Sequence, residues 1–184
     1  MKKRLALALA LSSVLALTIP ASPAASSYET PDAKATASEA VAMALSDMAD
    51  VFGDKALKPG QYVWRDVPDA AGPERVVISL SDQLAFLYRG ETLVAVSTIS
   101  SGKDDKPTPT GIFPILEKQV MHHSRKYDDA PMPFMQRLDQ YGVALHAGYN
   151  PGTPASHGCV RLPPKFAARL FTVTEVGTPV FIAT

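Results

Sequence analysis

The chain has 184 residues, of which 46% are hydrophobic and 20% charged, and its 18 basic residues balance 18 acidic ones. This length suits one folded domain with a real hydrophobic core. The composition excludes a disordered chain, which would be poorer in hydrophobic residues and richer in net charge.

The N-terminal 25 residues have the pattern of a secretory signal peptide. Three of the first four residues are basic, an apolar run follows from Leu5 to Ile19, and small residues predict cleavage near Ala24 or Ala25. The apolar run, at about 15 residues, is shorter than the roughly 20 that a membrane span needs. We therefore expect an exported protein of the periplasm or cell wall, without a stable membrane anchor after cleavage. Cleavage would leave 15 basic against 18 acidic residues, which argues against a nucleic-acid partner.

Residues 26–60 are predicted to form a flexible lead followed by one helix. The stretch Ser26–Ala37 is rich in Ala, Ser, Thr and Pro, and we expect it to be poorly ordered. Ser38 is predicted to cap a helix that runs to about Phe52 and ends at Gly53. Apolar residues recur there at helical spacing: Val41, Leu45, Met48 and Phe52.

Residues 61–184 are predicted to form one domain of mainly β structure. Short runs of branched and aromatic residues alternate with turn residues, which favours a mixed β-sandwich or barrel-like fold with one or two packed helices. A helix is predicted after Pro163 and Pro164, with Phe166, Leu170 and Phe171 buried. The predicted strands are Tyr62–Trp64, Arg75–Leu80, Leu84–Tyr88, Thr92–Ile99, Ile112–Val120, Phe134–Leu138, Val143–Ala147 and Thr178–Ala183.

Two long segments between these strands are predicted to be irregular. The polar segment Ser101–Gly111 is expected to be a surface loop stiffened by prolines. The stretch Met121–Met132 contains His122 and His123, but no further metal ligand has a helpful spacing, so a solvated loop is favoured. A mobile lid over a cleft is the second option for this stretch.

Cys159, the sole cysteine, lies in the motif Ser156–Arg161 and is the main candidate for chemistry. A lone cysteine is ordinarily a small buried hydrophobic residue. A reactive thiol instead needs a nearby base or cation that promotes its thiolate. His146 ends a predicted strand, and the Gly- and Pro-rich loop after it can fold back and place Cys159 beside that strand. His146 is therefore the candidate general base.

The neighbours of Cys159 suggest supporting roles. The amides of Gly158 and Cys159 are candidates for an oxyanion hole, in which each donor is worth roughly 3–4 kcal/mol. Arg161 either binds a substrate carboxylate or braces the loop, and its spacing favours bracing. A zinc site formed by His146, His157 and Cys159 is the remaining alternative, although His-x-Cys is not a standard zinc spacing.

These residues resemble the active-site signature of the L,D-transpeptidase catalytic domain, also called the YkuD domain, of bacterial cell walls. The resemblance rests on His146-Ala147-Gly148 and on Ser156-His157-Gly158-Cys159-Val160-Arg161. Pro107-Thr108-Pro109-Thr110-Gly111-Ile112-Phe113 is similar to the family's PTPxGxF segment. The resemblance covers roughly residues 75–184.

The resemblance implies a mainly β fold and a cysteine acyl-transfer mechanism. Cys159 would be the nucleophile and His146 the base, oriented by the backbone carbonyl of Ala147. The amides of His157, Gly158 and Cys159 would form the oxyanion hole, with Ser156 and Arg161 in support. The substrates would be peptidoglycan stem peptides: the thiolate attacks the third-residue carbonyl of a tetrapeptide stem, D-alanine leaves, and an amine of a second stem completes a 3-3 cross-link. No metal or organic cofactor is implied.

Two departures from the signature and two alternative functions stay open. Nine residues separate His146 from Ser156, fewer than in the usual signature, and Arg161 stands where some members carry asparagine. Water in place of the acceptor amine would make the protein an L,D-carboxypeptidase or a cross-link hydrolase. A wall-peptide-binding protein without turnover is the alternative of another class.

Overall fold

A computed structural model of the chain describes residues 28–53 and 56–184, so the predicted signal peptide and its cleavage site lie outside the described residues. The described residues contain two helices and ten strands. In chain order these are α1 (Pro31–Phe52), β1 (Tyr62–Trp64), β2 (Glu74–Ser79), β3 (Leu84–Arg89), β4 (Thr92–Thr98), β5 (Gly111–Pro114), β6 (Glu117–His123), β7 (Pro131–Arg137), β8 (Ala144–Ala147), β9 (Val160–Leu162), α2 (Pro164–Val173) and β10 (Pro179–Ala183).

The strands form two sheets, and the prediction of a mainly β fold with packed helices is confirmed. One sheet has six strands in the order β1-β4-β3-β2-β10-β5, and the other has four in the order β6-β7-β8-β9. The main core fills the space between the sheets and includes Ile78 and Leu87 from the first sheet, Leu145 and Leu162 from the second, and Phe166 from α2. Helix α1 covers the outer face of the six-stranded sheet.

Helix α1 begins eight residues earlier than predicted, so the expectation of a flexible lead through Ala37 is wrong from Pro31 onward. Thr30 is the N-cap residue, because its hydroxyl accepts a hydrogen bond from the Ala33 amide at 3.1 Å. Pro31 suits the first helical position, where no amide donor is needed. Ser38 lies within the helix and donates its hydroxyl to the Lys34 carbonyl at 3.0 Å.

The buried stripe of α1 lies against the sheet. Val41 is 5% exposed, and Leu45, Met48 and Phe52 pack against the same cluster, as the predicted spacing requires. The cluster continues into the sheet through Val77, Phe86, Tyr88, Leu93 and Val96. The helix is therefore part of the same folded unit as the strands.

The predicted strand Ile112–Val120 is two strands that belong to different sheets. β5 pairs with β10 in the six-stranded sheet, whereas β6 pairs with β7 in the four-stranded sheet. The chain crosses between the sheets at Ile115, which is fully buried. What the sequence indicated as one strand therefore includes a change of sheet.

The stretch Met121–Met132 is not wholly irregular. Met121 to His123 complete β6, Pro131 and Met132 begin β7, and residues 124–130 connect the two strands as a hairpin. Val120 and Met121 are more than half exposed, so the alternation of buried and exposed residues that marks a strand in sequence is missing here. Cross-strand pairing with β7 is what orders the segment.

Within residues 28–53 and 56–184, no helix combines the length and the apolar character needed to span a bilayer.

The packing of α1 predicts that two alanines of this helix differ in how much stability is lost when each is enlarged. Ala44 is fully buried against the sheet, whereas Ala42 is exposed. Ala44→Leu should lower the free energy of unfolding by about 1–3 kcal/mol because it overpacks the interface. Ala42→Leu should change it by no more than about 0.5 kcal/mol. Urea unfolding measures both, and equal midpoints for the two variants would contradict the docking of α1.

Candidate active site

The parallel pairing of β8 with β9 brings the two ends of the motif together. Leu145 lies opposite Val160 and His146 opposite Arg161, so the strand carrying His146 runs beside the strand that follows Cys159. Residues 148–159 fold back between the two strands, as the Gly- and Pro-rich sequence predicts. Ser100 holds the far side of β9, since its amide and the Arg161 amide each donate to the other residue's carbonyl at 3.0 and 2.9 Å.

A cleft of about 890 Å³ opens above this pairing. Of the residues singled out in the sequence, all but Ala147 line the cleft: His146, Ser156, His157, Gly158, Cys159 and Arg161. The hairpin β6–β7 and its loop form another wall, which includes Gln119, His122 and Tyr127. Chain folding therefore gathers one thiol and several imidazoles in one concave site.

His146 is held in a single tautomer. Its Nδ1 lies 2.8 Å from the Ala147 carbonyl oxygen, and because a carbonyl only accepts, Nδ1 carries the proton. Nε2 of the neutral ring is consequently free to accept a proton. Burial lowers the pKa of His146 to about 4, an effect that the Arg161 charge reinforces and the Ala147 hydrogen bond opposes.

The Cys159 thiol lies in an apolar pocket. It packs against Met132, Met135 and Ala144, and Sγ is 3.6 Å from the Gly142 carbonyl oxygen. Burial raises the pKa of the Cys159 thiol above its ordinary value, with the Ala144 backbone and the Arg161 charge opposing this shift and Asp139 adding to it. Since burial raises one pKa and lowers the other, the thiol and the imidazole are both neutral at pH 7.

Ser156 orders the turn that precedes Cys159. The Gly158 amide donates to Ser156 Oγ at 3.1 Å, and Ser156 Oγ donates to the Cys159 carbonyl at 2.5 Å. Gly158 has a φ of 112°, a conformation that favours glycine. Among the hydrogen bonds of residues 28–53 and 56–184, none uses the amide of His157 or Cys159. Among the described residues, two of the three amides suggested for an oxyanion hole therefore have no hydrogen-bond partner, and the third is engaged by Ser156.

His157 is exposed, and its ring stacks on Tyr127 from the hairpin loop. The ring centroids are 4.6 Å apart and the planes differ by 21°. Sequence reasoning did not single out Tyr127, because an aromatic residue in a polar loop carries no chemical signature by itself. The contact places the tip of the hairpin over the motif; movement of this hairpin as a lid stays a prediction.

The cleft is rich in cationic side chains. Its lining includes Lys106, Arg125, Lys126, Arg137 and Arg161, against one acidic residue, Glu117. Glu117 is already paired with Arg137 at 2.8 Å. The stem of Arg161 packs beside Gly148, and its guanidinium forms no salt bridge with any residue that the structure describes. The geometry of Arg161 is thus compatible with bracing and leaves its charge available.

The structure brings together no cluster of three potential metal ligands among His, Cys, Asp and Glu within the described ranges. His122 instead donates from Nδ1 to Gln119 Oε1 at 3.0 Å, and His123 donates to the Asp129 carbonyl at 2.9 Å. The arrangement that the zinc alternative requires, with His146, His157 and Cys159 as joint ligands, is therefore not the one observed.

The fold and this site can be compared with known proteins. The sequence profile of the L,D-transpeptidase catalytic domain, YkuD, matches residues 73–182. The chain belongs to this family. The resemblance seen in the sequence motifs is thereby confirmed. Comparison with curated proteins found no sequence match.

Solved L,D-transpeptidases share the fold. The structure of L,D-transpeptidase residues 123–326 from Xylanimonas cellulosilytica matches with a TM-score of 0.56 and 25% identity, over 65% of this chain and 64% of that one. The C442S mutant of Enterococcus faecium L,D-transpeptidase matches with a TM-score of 0.53 and 26% identity, over 61% of this chain and 50% of that one. LD transpeptidase LdtMt1 in complex with imipenem matches with a TM-score of 0.55 and 24% identity, over 59% of this chain and 58% of that one. The chain thus spans less than two thirds of the length of these relatives.

The two opposed pKa shifts predict how Cys159 reacts with a simple electrophile at different pH values. A thiolate–imidazolium pair would give an alkylation rate that is constant between the two pKa values. With both groups neutral, the rate with iodoacetamide should instead rise about tenfold per pH unit from pH 6 and still be rising at pH 9. Because the chain has one cysteine, the mass gain of the intact protein reports this rate directly. A plateau between pH 5 and pH 8 would show an ion pair and contradict the assignment.

Proposed function

We propose that this protein is a peptidoglycan L,D-transpeptidase in which Cys159 is the nucleophile and His146 the general base. One observation carries the proposal. Cys159 and His146 line the same cleft, and the Ala147 carbonyl fixes the proton of His146 on Nδ1, which leaves Nε2 as the proton acceptor. Membership of the YkuD family supports the reaction class.

The first half-reaction acylates Cys159. The thiol transfers its proton to His146 Nε2 while Sγ attacks the carbonyl carbon of the third residue of a tetrapeptide stem. The tetrahedral oxyanion then collapses, the amide C–N bond breaks, and His146 returns the proton to the amine of the departing D-alanine. Because both partners start neutral, proton transfer accompanies attack and the site needs no buried ion pair at rest.

The oxyanion is stabilised by backbone amides. The amides of His157 and Cys159 have no partner in the part of the chain that the structure describes, so they are the donors that this site offers, since the Gly158 amide is engaged by Ser156. Donors fixed in place before reaction stabilise a developing negative charge without any cost of reorganisation. Ser156 supports the site by holding the turn rather than by touching substrate.

The second half-reaction transfers the acyl group. An amine of a second stem attacks the thioester carbonyl, and His146 accepts a proton from that amine. The C–S bond then breaks, and His146 returns the proton to Sγ to restore the thiol. The new amide is the 3-3 cross-link. No step calls on a metal or an organic cofactor.

The charge of the cleft supports a substrate that carries carboxylates. Stem peptides present several carboxylates, and the cationic lining attracts such groups. Arg161 lines the cleft without an acidic partner among the described residues, and it lies two residues after Cys159 in the chain. We assign it to a substrate carboxylate as well as to the packing of Gly148.

The placement of the enzyme follows from its substrate. We propose that residues 1–25 are a signal peptide that directs export to the periplasm or cell wall, where peptidoglycan stems are found. Residues 61–184 form the catalytic domain. Helix α1, in residues 26–60, packs on the six-stranded sheet of that domain and belongs to its folded unit.

Product analysis with tetrapeptide muropeptides tests the reaction. The wild-type protein should produce cross-linked dimers and release D-alanine, and Cys159→Ala should produce neither. Liquid chromatography with mass spectrometry separates the outcomes. Tripeptide without dimers would identify a carboxypeptidase, and binding of muropeptides without any product would identify a wall-peptide-binding protein. Either result would overturn the transpeptidase proposal.

The role of the base is tested by acylation of Cys159. Because imipenem is the ligand of the related LdtMt1 structure, it serves as an acyl donor whose adduct appears as a mass increase. His146→Ala should slow acylation at pH 7 by roughly 10²–10⁴-fold, the usual contribution of a general base. His123→Ala is the matched control, since His123 does not line the cleft. Acylation of His146→Ala at the wild-type rate would move the base role to another histidine.

A further inference from the structure

Thr108 connects the loop before β5 to the turn that carries Cys159. It is 4% exposed, and its hydroxyl accepts a hydrogen bond from the Gly102 amide at 2.9 Å. The same hydroxyl donates to the Gly158 carbonyl at 2.9 Å. The side chain of Thr108 thus bridges two backbone groups that lie 56 residues apart in the chain, and one of them belongs to the proposed oxyanion site.

The Gly158 carbonyl shares a peptide unit with the Cys159 amide. No peptide bond among the described residues is cis, so this unit is planar and trans, and its C=O and N–H point in opposite directions. A hydrogen bond that holds the Gly158 carbonyl toward Thr108 therefore aims the Cys159 N–H away from Thr108. Because the peptide unit is rigid, a fixed direction of the Gly158 C=O also fixes the direction of the Cys159 N–H.

This peptide unit would be poorly fixed without Thr108. Glycine has access to backbone conformations that other residues avoid, and Gly158 already has a φ of 112°. Ser156 holds the Gly158 amide and the Cys159 carbonyl, but neither of these groups belongs to the peptide unit between Gly158 and Cys159. The bond from Thr108 is the one side-chain hydrogen bond to that unit among the described residues.

The loop that carries Thr108 is itself held rigidly. A Cβ atom on Gly102 would lie 2.2 Å from the Lys106 carbonyl oxygen and 2.9 Å from Gly158 Cα, so the loop and the turn are in close backbone contact. The carbonyl of Ser101 accepts the amides of Ala155 and Ser156 at 2.9 and 3.0 Å. The Thr108 hydroxyl therefore has a fixed position relative to the turn.

We propose that Thr108 is a positioning residue that orients the Cys159 amide as an oxyanion donor. It acts through the backbone and touches no reacting atom. This inference rests on the proposed function, because an oxyanion forms only if Cys159 attacks a carbonyl. It also gives the Pro107–Phe113 segment a specific part in catalysis.

Two reactions of the same thiol separate this role from a general structural one. In acylation by imipenem, Sγ bonds to the lactam carbonyl carbon, the ring C–N bond breaks after an oxyanion forms, and the ring nitrogen takes the proton from His146. In alkylation by iodoacetamide, Sγ displaces iodide, the thiol proton is lost to solvent or His146, and no oxyanion forms. Only the first reaction requires the Cys159 amide as a donor.

Thr108→Val keeps the shape of the side chain and removes the hydroxyl, whereas Thr108→Ser keeps the hydroxyl. Thr108→Val should slow imipenem acylation by about 10²-fold, the effect of losing one oxyanion donor, and leave the iodoacetamide rate unchanged. Thr108→Ser should restore acylation to near the wild-type rate. Mass spectrometry of the intact protein follows both reactions, and circular dichroism checks the fold of each variant.

Thr110→Val is the control on the same segment, because the Thr110 hydroxyl makes no hydrogen bond to any described residue and the residue does not line the cleft. It should react normally with both reagents. Equal slowing of both reactions by Thr108→Val, or normal acylation of that variant, would overturn the role of Thr108 while the wild-type protein still acylates. Failure of the wild-type protein to acylate would instead overturn the proposed function and, with it, this inference.

Discussion

The site depends on the parallel pairing of β8 with β9. Antiparallel neighbours can be joined by a tight turn, but parallel neighbours need a long crossing connection, here residues 148–159. That connection carries the turn Ser156–Cys159 and must return the chain to the edge where His146 lies. Ser100 occupies the outer edge of β9, so the short three-residue strand is held from both sides. A local constraint on chain direction thus sets the relative position of the thiol and the imidazole.

Burial decides the electrostatic state of this pair. Many cysteine enzymes lower the pKa of their thiol with a nearby cation, but here the apolar contacts of Cys159 raise it and the burial of His146 lowers its pKa. The cost of forming two buried charges is avoided in the resting site. In the proposed mechanism, the negative charge that develops during attack falls on the substrate oxygen, where the backbone amides of the turn are available. The fixed dipoles of these backbone amides would thus stabilise the transition state, whereas other cysteine enzymes rely on a permanent thiolate–imidazolium pair.

The sequence predicted that the residues of one short stretch, 146–161, would lie together in the candidate site. Cys159, His146 and the small residues of the turn form a compact chemical pattern, and the core strands show clear apolar runs. Thr108 and Tyr127 were not predicted, because they contact Gly158 and His157 across 50 and 30 residues and are ordinary residue types. The start of α1 was missed although Thr30-Pro31 is a favourable helix start, since the composition of the stretch suggested disorder. The last three residues of strand β6, Met121–His123, were not predicted as strand because pairing, not burial, orders them.

The neutral state of Cys159 also bears on the chemical durability of the protein. Oxidants and disulfides react with the thiolate, so a thiol with a raised pKa exposes little of the reactive form. The chain has no second cysteine to form an intramolecular disulfide that would protect or regenerate it. The apolar contacts with Met132, Met135 and Ala144 therefore help to keep the thiol in its protonated form, which is less easily oxidised. In the exported enzyme that we propose, a thiol of this kind would be oxidised more slowly than one whose pKa is lowered by a nearby cation.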